Sequence, residues 1–118
     1  MKTLVIGAST NAERYSYKAI KSLVAHQHEV VAIGAKKGTI FNIEIETEKI
    51  DFTGIDTVTL YINPKLQEAY YDYILSLNPR RVLFNPGTEN PAFYELLKKK
   101  NCIVEEACTL VLLATNQY

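Results

Sequence analysis

The stretch Thr3–Tyr17, TLVIGASTNAERYSY, decides the fold. Leu4, Val5 and Ile6 form a short apolar run, rich in β-branched residues, that stops at Gly7. A polar segment follows from Ser9 to Arg14, and helical spacing starts near Ser16. The order is strand, glycine turn, helix. Amides at the start of such a helix point over the end of the strand, where they favour an anion such as phosphate.

Further along, the same order recurs. Ile20, Leu23 and Val24 continue the first helix. Glu29–Ile33 (EVVAI) is an almost continuously apolar run, as expected of a strand buried on both faces. Phe41, Ile43 and Ile45 alternate with Asn42, Glu44 and Glu46, which predicts an extended segment with one side covered. Thr57–Ile62 predicts a third strand. Asn63-Pro64 then supplies an N-cap with proline at the first helical position. Leu66, Ala69, Tyr70, Tyr73, Ile74 and Leu77 predict one helix reaching Asn78-Pro79. Arg81–Asn85 predicts a fourth strand, Asn90-Pro91 caps another helix, and Cys102–Val104 is a short fifth strand. An apolar helix near Cys108–Ala114 closes the chain. The alternation implies an α/β fold, one domain over residues 1–118, with a mainly parallel five-stranded sheet and helices on both faces.

Composition narrows the function. The 13 basic and 13 acidic residues balance, which argues against a global nucleic-acid or membrane footprint. No run approaches the roughly 20 apolar residues of a membrane span. The N-terminus lacks a signal-peptide pattern, and Cys102 and Cys108 are too few for a disulfide framework. A reduced, cytoplasmic protein is the simplest expectation. The two cysteines have no metal-ligand spacing and no nearby histidine, so no metal site is expected.

In open parallel sheets, ligands bind beyond the carboxyl ends of the strands. That rule converges four loops: Gly7-Ala8-Ser9, Gly34-Ala35-Lys36-Lys37, Tyr61-Ile62-Asn63-Pro64, and Asn85-Pro86-Gly87-Thr88. Arg80-Arg81 and Lys98–Lys100 fall at the opposite end and read as solvated surface. His26 and His28 also read as surface there. Ser9 and Ser16 offer hydroxyls, Ser16 equally serving as a helix N-cap, and Arg14 offers a charge. The loop lacks the full dinucleotide fingerprint: Ser9 and Ala12 stand at the second and third glycine positions. After the second strand, Lys36-Lys37 replaces the acid that holds the ribose of NAD. Two ammonium groups there favour a nucleotide with an additional phosphate, either NADP or coenzyme A.

Four of these pieces together resemble the family of small, stand-alone CoA-binding domains. They are VIGASTNAERYSY, EVVAIGAKKG, YINPKLQ and LFNPGTENP. These are Rossmann-like proteins, similar to the CoA-binding part of succinyl-CoA synthetase alpha chains, and the resemblance runs from Thr3 to about Thr115. It implies a doubly wound Rossmann-like fold and CoA, or an acyl-CoA, as ligand. By the same resemblance, Gly7, Ala8 and Ser9 lie at the pyrophosphate. Arg14, Ser16 and Tyr17 match the family's R-x-S-Y stretch, and Lys36 matches the lysine after the second strand. Asn63-Pro64 and Asn85-Pro86-Gly87 match the next two loops; Ala35, Lys37 and Tyr61 flank them. Three segments depart from the family pattern. Gly34-Ala35 replaces Asn-Pro, Asn85-Pro86 replaces a glutamine-containing loop, and TLVLLAT replaces an ending with Glu-His.

No catalytic residues are evident. Tyr17 and Lys21 share a helix face but have no substrate loop beyond them, and Cys108 has no base beside it. Two alternatives stay open: an NADP- or CoA-dependent enzyme with an unrecognised substrate, and an interaction module with a degenerate pocket. The apolar segment Leu110–Leu113 would suit a homodimer or partner contact.

Overall fold

The computed structural model describes residues 2–118. The chain runs β1 (Lys2–Ala8), α1 (Tyr15–Ala25), β2 (Glu29–Gly34), β3 (Gly38–Ile40), β4 (Ile43–Glu46), β5 (Thr57–Leu60) and α2 (Pro64–Gln67). A single 3₁₀ turn (Glu68–Tyr70) leads to α3 (Tyr71–Leu77), β6 (Arg81–Phe84), α4 (Pro91–Lys99), β7 (Ile103–Glu106) and α5 (Thr109–Ala114). The sheet order is β3-β4-β2-β1-β5-β6-β7. Every neighbouring pair is parallel except β3 with β4.

Alternate residues of β1 enter opposite layers. Leu4 and Ile6 join Val58, Leu60, Val82 and Phe84 under Ile74, Phe93 and Leu97, so α3 and α4 cover that face. Val5 and Ala8 join Val30 and Ala32 under Ile20, Leu23 and Leu113, so α1 and α5 cover the other. Both faces of the central strands are therefore dry, which is why they read as largely apolar runs rather than alternating ones.

Four expectations need correction. The sheet has seven strands, not five, because Gly38–Glu46 folds into an antiparallel hairpin. Its turn is Phe41-Asn42, at φ 50° and 64°. Positive φ at both central residues is the hairpin-matching conformation, usually marked by asparagine-glycine. Phenylalanine in the first position hides that signal. Phe41 is held there by an edge contact to Tyr17, ring centroids 5.2 Å apart.

The helix after Asn63 is not continuous. It breaks into α2, the 3₁₀ turn and α3. Leu66, the first residue of the apolar stripe, is exposed, and Gln67 is buried in its place. The Arg80-Arg81 pair is not plain solvated surface either. Arg80 grips Asp56 through Nε–Oδ1 at 2.9 Å and Nη2–Oδ2 at 3.1 Å. Arg81 is 4 % exposed; its Nε donates to Thr57 Oγ1 at 2.9 Å and its guanidinium lies 4.5 Å from the Tyr118 ring centre. The Tyr118 hydroxyl in turn bonds Thr3 Oγ1. Finally, Ser16 does not cap α1: Arg14 is the N-cap residue, and Ser16 is buried inside the first turn.

Candidate ligand cleft

From β1 the chain builds outward on one side through β2, β4 and β3, then returns to build β5, β6 and β7 on the other. The direction reverses between β1 and β5, and a crevice opens above that switch point. A cleft of about 950 Å³ lies there. Its walls are Gly7–Asn11 after β1, Glu13–Ser16 at the start of α1, and Ala35 and Lys36 after β2. Tyr61–Asn63 and Leu66 after β5, and Pro86–Thr88 after β6, complete it.

Gly7 is forced by this geometry. Its φ is +98°, and a Cβ there would lie 3.0 Å from the backbone carbon and oxygen of Tyr61. The β1–β2 register shifts between Ile6 and Ala8, so Gly7 forms an irregularity that turns the chain out of the sheet. Gly34 answers it from β2: a Cβ there would meet the Ala8 carbonyl oxygen at 2.3 Å. An asparagine at that position would not fit, which explains one departure from the family pattern.

The Ser9–Arg14 loop braces itself. The Asn11 amide donates to Ser9 Oγ at 3.0 Å, and the Glu13 amide donates to Asn11 Oδ1 at 2.9 Å. The Arg14 amide donates to the Asn11 carbonyl at 3.0 Å. No side chain caps α1, and its first turn carries no acid. The helix therefore presents its amides and the positive end of its dipole to the cleft without an internal anion. Arg14 and Lys36 bring cations to the cleft lining; Glu13 brings a carboxylate.

The cleft brings together Gly7, Ala8, Ser9, Arg14, Ser16, Ala35, Lys36, Tyr61, Asn63, Pro86 and Gly87. It does not include Tyr17, Lys37, Pro64 or Asn85. Tyr17 turns toward Phe41 and the α1 face of the core. Lys37 lines a separate recess of about 210 Å³ beside β3 and β4. Pro64 starts α2 behind Asn63, whose Oδ1 accepts the Leu66 amide at 2.9 Å. Asn85 is buried with its carboxamide fully used. Its Nδ2 donates to Thr59 Oγ1 at 2.6 Å and the Leu60 carbonyl at 2.9 Å, while Oδ1 accepts the Thr109 amide at 2.9 Å. It ties β5, β6 and α5 together underneath the cleft. Thr10, Asn11, Glu13, Tyr15, Ile62, Leu66 and Thr88 also line the cleft, beyond the expected binding residues. Thr10, Asn11 and Glu13 lie in the loop after β1 and Thr88 in the loop after β6, where the strand-end rule points. For Leu66 the signal is misleading, because its place in the apolar stripe implies burial.

Tyr61 sits at the floor. Among the described residues its buried hydroxyl makes no hydrogen bond, although the Thr59 and Thr109 hydroxyls, which bond each other at 2.8 Å, are its polar neighbours. Burial pushes its ionisation up to about 12, so it stays a neutral phenol. Cys102, buried under β6 and β7, is likewise pushed up to about 11 by desolvation and is a packing residue. Among the described residues, no group of three His, Cys, Asp or Glu side chains is placed to hold a metal ion.

An open, nearly all-parallel α/β sheet with helices on both faces and a cleft at its switch point defines a doubly wound α/β class of domain. Within that class, the sequence matches the model of the CoA binding domain family over residues 1–114, and the chain belongs to that family. A crystal structure of an uncharacterised protein is 45 % identical, covers 99 % of this chain and 97 % of its own, and superposes with a TM-score of 0.96. A hypothetical protein from Pyrococcus horikoshii is 22 % identical, with coverage of 92 % and 78 % and a TM-score of 0.83. A Thermus thermophilus structure is 19 % identical, with coverage of 99 % and 90 % and a TM-score of 0.87. The last two share the fold. No curated protein matches the sequence. No helix of the described residues is long and apolar enough to cross a membrane.

Proposed function

We propose that the protein binds coenzyme A or an acyl-CoA in the switch-point cleft, through phosphate contacts at the first turn. The observation that carries this is that Gly7–Ser9, the uncapped start of α1, Arg14 and Lys36 line one cleft. Backbone amides and a helix dipole suit a pyrophosphate. Lys36, from the opposite loop, is suited to the phosphate on the adenosine ribose. At about 950 Å³ the cleft lies at the upper end of small-molecule sites, which suits a nucleotide with a long arm. Tyr15, Ile62 and Leu66 give it an apolar side for that arm. When bound, CoA would supply a thiol or thioester; the residues around the cleft bind and orient it.

The cleft lacks a nucleophile with a base beside it, so a binding role is favoured over catalysis. Calorimetric titration of the protein with CoA, NADP and NAD tests the proposal. CoA is expected to bind most tightly. NADP binding equally well would replace CoA with a general preference for a phosphorylated dinucleotide, and binding of none would refute the cleft as a nucleotide site.

A further inference from the structure

We propose that Gln67 is a positioning residue for the cleft, fixing the distance between the loop after β5 and the loop after β6. Gln67 is fully buried. Its Nε2 donates one hydrogen to the Ile62 carbonyl at 2.9 Å and the other to the Thr88 carbonyl at 2.8 Å. Ile62 and Thr88 both line the cleft, on its two neighbouring loops. Gln67 Oε1 accepts from Asn90 Nδ2 at 2.9 Å, and the same nitrogen donates to the Tyr71 hydroxyl at 2.8 Å. Every donor and acceptor of the carboxamide is therefore engaged.

The residue type follows from the task. A buried amide costs free energy unless all its groups are bonded, and an apolar side chain would fill the space without that cost. Among uncharged side chains, only a primary amide places two donors on one atom, which lets it bridge two carbonyls without burying a charge. Helix α2 is four residues long and gives way to the 3₁₀ turn immediately after Gln67. The carboxamide is thus the direct link between the two loops, and the width of the cleft on that side is set before any ligand enters. Preorganisation of this kind strengthens binding by removing the cost of ordering the loops.

The inference about affinity rests on the CoA reading; the inference about loop spacing does not. Amide hydrogen exchange is measured on the unliganded wild type, Gln67→Met and Gln67→Glu at pH 6 and pH 8, alongside CoA titration. Gln67→Met is expected to speed exchange in both loops together and to weaken CoA about tenfold. The carboxyl in Gln67→Glu faces two carbonyls in a buried site, which raises its pKa. Protonated, it donates one hydrogen bond; ionised, it repels both oxygens. Its loops and its CoA affinity should approach wild type at pH 6 and resemble Gln67→Met at pH 8. Tyr71, which touches this network, and Glu89, whose carboxylate accepts the Gly87 amide next to Thr88, are present in all three proteins, so the wild type at each pH is the reference. Loosening of one loop only, uniform acceleration across the sheet, an unchanged CoA affinity, or no pH dependence in Gln67→Glu would overturn the proposal. If the wild type fails to bind CoA while both loops still loosen together, the CoA reading fails and the positioning role stands.

Discussion

Replacing Gly7 with alanine should destabilise the protein by ~2–3 kcal/mol, built from separable contributions. The backbone is at φ +98°, and holding a residue with a Cβ there costs about 1–2 kcal/mol. The new Cβ would lie 3.0 Å from the Tyr61 carbonyl carbon and oxygen and 3.1 Å from Ile62 Cγ2. Two of those three atoms are backbone of Tyr61, the residue that follows β5, so the contact must be relieved by moving that end of β5 away from β1, at roughly 1–2 kcal/mol. The lower entropy of an alanine-containing unfolded chain offsets about 0.5 kcal/mol. Gly54 and Gly87 separate the two costs: both have positive φ, +70° and +92°, and a Cβ added at either would meet no atom within 4 Å. Gly54→Ala and Gly87→Ala should therefore show the backbone cost alone, about 1 kcal/mol each. Urea unfolding of the three variants and wild type, with m-values compared, reads this directly. Three equal losses would refute the idea that the close approach of Tyr61, rather than φ, makes glycine obligatory at the first turn.

Glu13→Gln should tighten CoA several-fold at low salt and much less at high salt, because a carboxylate leaves the wall that meets phosphate; calorimetry at two ionic strengths checks it. Tyr61→Phe should leave the fold intact and stabilise it by up to ~1 kcal/mol, since the lost hydroxyl is buried and unbonded; a fall in urea midpoint would mean that it has a partner. The Arg80 guanidinium beside Asp56 holds that carboxyl below its ordinary value. Its contribution to stability is present above the unfolded-state pKa near 4 and is lost as pH falls through the lowered folded value. Asp56→Asn should remove ~1 kcal/mol at neutral pH and flatten that part of the acid unfolding curve.

The strands and their order of helices are legible in the sequence because both faces of β1, β2, β5 and β6 are buried, leaving largely apolar, β-branched runs in which only Thr57, Thr59 and Arg81 interrupt the later strands. The edge hairpin is not, because Phe41-Asn42 occupies the two turn positions normally marked by asparagine-glycine, and an aromatic contact of Phe41 to Tyr17 compensates. The strand-end rule places four loops around the cleft, but it cannot say which side chain in each loop faces inward. Asn85 sits in the correct loop and turns below it, toward β5 and α5, where three hydrogen bonds use its amide. Lys36 and Lys37 are equivalent as sequence; in the bend between β2 and β3, Lys36 lines the cleft with Ala35 while Lys37 lines the recess beside β3 and β4. Gln67 illustrates the opposite failure. A polar residue beside an apolar stripe reads as solvent-facing, yet it is buried because Ile62 from its own loop and Thr88 and Asn90 from the segment after β6 converge on it.

The most direct test of a CoA site at the first turn is the affinity of wild type and Lys36→Ala for CoA and for dephospho-CoA, which lacks only the phosphate on the adenosine ribose. Wild type should prefer CoA, and Lys36→Ala should lose about three- to tenfold for CoA while changing little for dephospho-CoA. Equal affinity of the wild type for the two ligands, or equal losses on substitution, would contradict a phosphate role for Lys36 and with it the preference for CoA.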